Sequence, residues 1–201
     1  MARLPDSERA RNTVLPEHAI REIVAAAHDI GREFGLFVEI AATTGARTSQ
    51  VLRLTAGDLL DDDRVMMPSS KKGKRRRIER RALPLSPSLA AKLRMLAAGK
   101  PTDAPLLAVA YPDRIFRALA KRLGLDGSVT LYAMRHSSIV RMLLAGVPTR
   151  VVAAAHDTSV LMIEQNYARY IGDHTEGLLR GVLLDVASSA PANNVVSLVK
   201  G

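Results

Sequence analysis

The sequence contains no cysteine and no tryptophan. The first absence removes disulfides, thiol nucleophiles and thiolate metal sites together, and fits a reducing compartment. Aromatic residues make up only 3% of the chain, so a core has to be built from Leu, Val, Ile, Ala and Met, a set that favours helices over an all-β sandwich. No apolar run approaches the roughly 18 residues a membrane span requires. The opening MARLPDSERARN has no apolar stretch of the kind a secretory signal needs. No carboxylate or histidine cluster stands at metal-ligand spacing, and no metal or cofactor is expected. The composition points to a soluble cytoplasmic protein.

Apolar residue and positive charge are both plentiful. At 201 residues and 47% hydrophobic content the chain can bury one real core. The net charge is +9, and it is concentrated: Lys71, Lys72, Lys74, Arg75, Arg76, Arg77, Arg80 and Arg81 lie within eleven residues that contain one acid, Glu79. Arginine dominates the basic residues, and its guanidinium grips phosphate with two parallel donors. A polyanionic partner is one reading of this run; a solvated basic tract is the other.

Along the chain, residues 1–15 read as a polar arm. Ile20, Ile23, Val24, Ala27, Ile30 and Phe34 recur at helical spacing after Pro16, predicting a helix over 16–34. Residues 35–55 suggest two helices broken near Thr44 and Gly45, and Gly57 to Asp63 reads as a turn. Two β-type segments, 64–68 and 80–85, flank the basic run and predict a hairpin with a long positive tip. Helical patterns follow over 88–98, 113–123, 132–145, 149–155, 160–171 and 173–187. Residues 188–201 form a flexible spacer ending in the apolar cluster Val195–Val199, a composition suited to docking on a neighbouring molecule. No repeat and no second domain are evident. The expectation is a mainly α domain over 16–187 carrying a small antiparallel β-hairpin.

Four segments carry candidate chemistry. In Thr44-Gly45-Ala46-Arg47-Thr48-Ser49-Gln50 a glycine precedes an arginine at a helix start, where backbone N–H groups face an anion; a plain surface charge is the alternative. The hairpin tip supplies lysines able to reach a phosphate or protonate a leaving oxygen. In Tyr132-Ala133-Met134-Arg135-His136, Arg135 falls in an apolar helical pattern. A buried arginine needs compensation, from a bound anion or from a carboxylate. In the segment from His156 to Tyr170, Tyr167 and Tyr170 share a helix face with Ile163 and Ile171, as core residues or as a nucleophile.

Taken in order, these segments resemble the tyrosine recombinase family over about residues 17–172. TGARTSQ is similar to that family's T-G-x-R-x-S-E and places Arg47 on its first arginine. Lys71, in SKKGK, falls 24 residues later, where a family lysine sits. YAMRH places Arg135 on the second arginine, Gly146 matches the following L-x-x-G-V segment, and Tyr167 stands 32 residues after Arg135, the family interval. The departures are specific. Tyr132 occupies the position of the H-x-x-R histidine. Gln50 replaces an acid. Thr158 stands at the strict position of the G-H histidine, with His156 two residues earlier.

The resemblance implies a tyrosine recombinase catalytic-domain fold, without the N-terminal helical domain that relatives carry. It implies double-stranded DNA as partner, self-association into a tetramer on paired sites, and strand cleavage and rejoining through a 3′-phosphotyrosine without metal or ATP. Arg47 and Arg135 would clamp the phosphate, Tyr167 would attack with an ordinary phenol pKa near 10, and Lys71 would protonate the 5′ oxygen. Tyr132 and His156 would assist, while Lys72, Lys74, Arg75, Arg76, Arg77 and His136 would contact DNA. A catalytically impaired DNA-binding relative, a type IB topoisomerase and a plain nucleic-acid-binding module are the competing expectations.

Overall fold

The computed structural model describes residues 13–70 and 78–172, together with Arg180 and Leu183. The basic tip (Lys71, Lys72, Lys74, Arg75, Arg76 and Arg77), the expected helix over 173–187 and the tail 188–201 therefore lie outside, or largely outside, the described residues.

Helix α1 (Glu17–Ile30) begins after Pro16, whose fixed φ suits a helix entrance, and buries Ile20, Ile23 and Ala27. It does not run to Phe34 as the periodicity predicts. The chain opens into extended backbone at Gly31 and starts α2 (Arg32–Thr44), so the apolar spacing continues across a corner rather than along one rod. The corner is tight: a Cβ at Gly35 would lie 2.3 Å from the His28 ring. Nine of the thirteen α2 residues are buried, which makes α2 the central helix, with α1, α4 and α6 packed around it.

After Gly45, at φ 65, comes α3 (Thr48–Val51), a single turn. A 3₁₀ turn (Ala56–Asp58) then leads to β1 (Arg64–Pro68), which pairs antiparallel with β2 (Arg80–Pro84), Arg64 opposite Pro84 and Pro68 opposite Arg80. Val65, Met67 and Leu83 face the core, and buried Asp58 accepts from Arg80 Nε at 2.6 Å, fixing β2 to the turn. The expected hairpin is thus present, with its strands at nearly the expected residues.

Helices α4 (Pro87–Ala97), α5 (Pro112–Arg122), α6 (Leu131–Leu144), α7 (Thr149–Ala155) and α8 (Val160–Gly172) complete the described chain within a residue or so of the sequence reading. The main core joins α1 to α5 and the first turn of α6, and contains all three phenylalanines, Phe34, Phe37 and Phe116. A second, smaller cluster links α6, α7 and α8 through Ile139, Val140, Leu143, Val152, Ala153, Ile163 and Tyr167. The fold is mainly helical with one small antiparallel sheet. No described helix is long and apolar enough to cross a membrane.

Candidate active site

The two clusters meet at α6, and the site lies along that junction. A pocket of about 330 Å³ is lined by Arg47, Tyr132, Arg135, His136, Thr158, Met162, Asn166 and Tyr167 among others. Three stretches far apart in sequence supply these groups: the turn before α3, the first half of α6, and α8 with the loop leading into it.

Arg135 is 3% exposed. Its Nη1 donates to the Gly45 carbonyl at 2.9 Å and its Nη2 donates to the His156 carbonyl. Neither partner carries charge, and no described carboxylate forms an ion pair with it. Desolvation, with the nearby Arg47 charge, pulls the guanidinium down to about 10. The carboxylate pair that a buried arginine usually needs is absent among the described residues, so its positive charge is left facing the pocket.

Arg47 is positioned by its neighbours. Gln50 is buried; its Oε1 accepts from the Arg47 backbone N–H at 3.0 Å and its Nε2 donates to the Pro68 carbonyl at 2.7 Å. A glutamate in its place could accept but not donate, which accounts for the amide where the family pattern has an acid. The helix that follows is a single turn, and the Arg47 N–H, which could have faced an anion, is already engaged by Gln50. The Arg47 side chain reaches across to the hairpin root and the loop before α8. Its Nη1 donates to Ser70 Oγ at 3.1 Å and lies 3.4 Å from Asp157 Oδ2. Ser70 immediately precedes Lys71, so the described chain reaches the pocket rim where the basic tip begins.

His156 does not line the pocket. It is 1% exposed, with Nδ1–H donating to the Val152 carbonyl at 2.9 Å and Nε2 accepting from Ser138 Oγ at 3.1 Å. Burial holds it well below the ordinary histidine range, at about 4. Its ring lies under Gly45, where a Cβ would come within 2.5 Å of it. Thr158, which stands at the strict position of the family's G-H histidine, does line the pocket.

Tyr167 is 7% exposed, and its hydroxyl shares a hydrogen bond of 2.5 Å with His136 Nδ1. Burial pushes the phenol up to about 12, against the ordinary value the sequence suggests. His136, expected from the sequence to contact DNA, is itself buried, lines the pocket and lies against this phenol. Tyr132 is half exposed and stands edge-on to the His136 ring, centroids 4.8 Å apart. Asp157, Ser70 and Gln50 were not assigned contacts by sequence. Ser70 and Asp157 meet across 87 residues, Gln50 and Pro68 across 18, and only the departure at Gln50 gave a signal.

Two guanidinium groups and a buried phenol around one pocket define a site that can bind an anion and offer it a nucleophile. The chain belongs to the phage integrase family, whose pattern matches residues 13–171. Its fold is that of a tyrosine recombinase catalytic domain. It is similar to the catalytic domain of bacteriophage HP1 integrase, with 23% identity, a TM-score of 0.65 and coverage of 84% of this chain and 94% of that one. It is also similar to the Tn1549 transposon integrase in complex with transposon right end DNA, with 16% identity, a TM-score of 0.67 and coverage of 85% and 66%. XerA recombinase matches at 19% identity with a TM-score of 0.63, over 84% of this chain and 62% of that one. The chain therefore spans less than two thirds of XerA recombinase. No curated protein matches the sequence.

Proposed function

We propose that this chain carries out site-specific DNA recombination, cleaving and rejoining strands through a covalent 3′-phosphotyrosine. One observation carries the reading: Arg47, Arg135 and Tyr167, from three distant segments, line a single pocket. A phosphodiester repels nucleophiles with its own charge. Arg47 and Arg135 contact its non-bridging oxygens and stabilise the additional charge of the transition state. Tyr167 Oη attacks phosphorus, and the 5′ oxygen leaves with a proton from Lys71, whose chain neighbour Ser70 is anchored at the pocket rim. Tyr132 offers its hydroxyl to the phosphate. His156 acts from behind, through the carbonyl that orients Arg135. A 5′ hydroxyl then attacks the phosphotyrosine and reseals the strand, so the bond energy is conserved and neither ATP nor a metal is required.

Lys72, Lys74, Arg75, Arg76 and Arg77 contact the DNA backbone in this reading. Exchange between two sites calls for paired complexes, and a tetramer on double-stranded DNA is the assembly proposed. The cytoplasm is the corresponding compartment.

The test is covalent trapping. The protein is incubated with nicked duplexes of randomised sequence, in which the cleaved end diffuses away. An adduct that survives detergent, maps to the peptide containing Tyr167 and is absent from Tyr167→Phe is the expected result. Binding of these duplexes with no adduct would overturn the reading in favour of a DNA-binding relative that does not cleave. Relaxation of supercoiled plasmid without site preference would favour a type IB topoisomerase.

A further inference from the structure

Attack by a phenol requires a destination for its proton, and the roles above do not supply one. The family pattern has a histidine three residues before the second arginine; here that residue is Tyr132, which offers no basic nitrogen at neutral pH. The described residues place one basic nitrogen against the nucleophile. Tyr167 Oη and His136 Nδ1 share a hydrogen bond of 2.5 Å. In the tautomer with its ring hydrogen on Nε2, the neutral imidazole presents the Nδ1 lone pair to the Tyr167 hydroxyl. Nε2 is buried and has no hydrogen-bond partner among the described residues. An imidazole left unsatisfied on one side while the other faces the reacting hydroxyl is poorly explained by stability, since an orphaned buried polar atom costs free energy.

We infer that His136 is the catalytic proton acceptor for Tyr167, taking over a function for which this chain has no histidine at position 132. The inference rests on Tyr167 being the nucleophile. As the Oη–P bond forms, the O–H bond breaks and its proton passes to Nδ1, while the P–O5′ bond breaks and the leaving oxygen takes a proton from the general acid. In resealing, the 5′ hydroxyl attacks phosphorus and gives its proton back to the deprotonated general acid, while the Oη–P bond breaks and the imidazolium returns its proton to the tyrosine.

The surroundings suit this use. Burial and the adjacent Arg135 keep His136 low, at about 4, so at neutral pH the ring is in its accepting form. The groups facing it are Arg135 and Tyr132 on its own helix, Tyr167 on α8, and Arg47 across the pocket. A phosphate between the two guanidinium groups offsets their repulsion and makes the imidazolium easier to form. The phenol also becomes far more acidic as it bonds to phosphorus. Both changes occur only with substrate in place.

The experiment measures single-turnover adduct formation on a nicked duplex that the unmodified protein cleaves. In His136→Asn the side-chain oxygen keeps an acceptor near Nδ1 but takes up no proton. Cleavage is expected to slow on the order of 10²- to 10³-fold with duplex affinity unchanged. Placing 3-fluorotyrosine at position 167 makes the phenol more acidic and should restore much of the lost rate in His136→Asn, relative to its effect in the unmodified protein. A purely structural role for His136 predicts no such recovery. If His136→Asn does not melt cooperatively, His136→Gln is read in the same way. Cleavage at the unmodified rate in a folded variant, or equal effects of fluorination with and without His136, overturns the inference and leaves the recombinase reading intact. Failure of the unmodified protein to form any adduct overturns that reading instead.

Discussion

The carboxylate of Asp157 holds Ser70 twice, accepting from its backbone N–H at 2.8 Å and from its hydroxyl at 2.6 Å. The same oxygen lies 3.4 Å from Arg47 Nη1. One acid thus joins the loop before α8, the root of the basic hairpin and the first arginine. It fixes the residue next to Lys71, and it also places negative charge beside a guanidinium intended for phosphate. These two effects act in opposite directions and are separable. Asp157→Ala should bind duplex DNA a few-fold more tightly, by removing a repulsive charge, and cleave about tenfold more slowly, a barrier increase of about 1.4 kcal/mol. Filter binding and single-turnover cleavage read the two quantities. Parallel losses of affinity and rate would mean that Asp157 serves only to hold the loop.

The two arginines should fail in different ways. Arg47 reaches Ser70 and Asp157 at the rim, groups that keep each other satisfied without it. Arg47→Ala should lower cleavage by about 10² to 10³ and leave the melting temperature nearly unchanged. Arg135 satisfies the carbonyls of Gly45 and His156 in a buried setting. Arg135→Ala should abolish cleavage and also lower the melting temperature by several degrees, because each stranded carbonyl costs about 1–3 kcal/mol. Equal melting temperatures for the two variants would contradict this assignment.

Gln50→Glu restores the family's usual residue and is expected to harm this chain. The new carboxylate keeps the acceptor for the Arg47 N–H but faces the Pro68 carbonyl with no hydrogen to give. A loss of about 1–3 kcal/mol is expected in chemical denaturation. An unchanged unfolding midpoint would show that the Gln50–Pro68 bond contributes little.

Acid should weaken the fold before it titrates most carboxylates. Burial lowers both His136 and His156 to about 4, whereas in the unfolded chain they titrate near 6.5. Between those values the unfolded chain binds more protons than the native one, so stability is full above about pH 6.5 and declines as pH falls toward 4. Thermal melts at constant ionic strength should show this decline. His156→Gln should make it shallower, and a flat profile from pH 7 to 4.5 would count against neutral buried imidazoles.

Much of this arrangement is legible in the sequence because it rests on local signals. Arg47, Arg135 and Tyr167 sit in short motifs at fixed intervals, and the hairpin is marked by alternating strands around a charged run. Other features leave no local trace. The apolar spacing from Ile20 to Phe34 continues through Gly31, since a tight corner between two helices buries the same face that one longer helix would. Ser70 and Asp157 meet across 87 residues, and neither looks unusual in its own segment. His136 reads in the sequence as a DNA contact beside Arg135. Only the fold shows that its ring turns inward to meet α8.

Tyr167 belongs to the smaller apolar cluster as well as to the pocket. Its hydroxyl is therefore stored away from water and small electrophiles when no DNA is bound. Tyrosine-selective acylating reagents should modify Tyr111, 77% exposed, and Tyr132, 45% exposed, well before Tyr167. If Tyr167 is the nucleophile proposed above, its place among core side chains shields it from adventitious modification, and the reagent that identifies it most cleanly is the DNA phosphate itself.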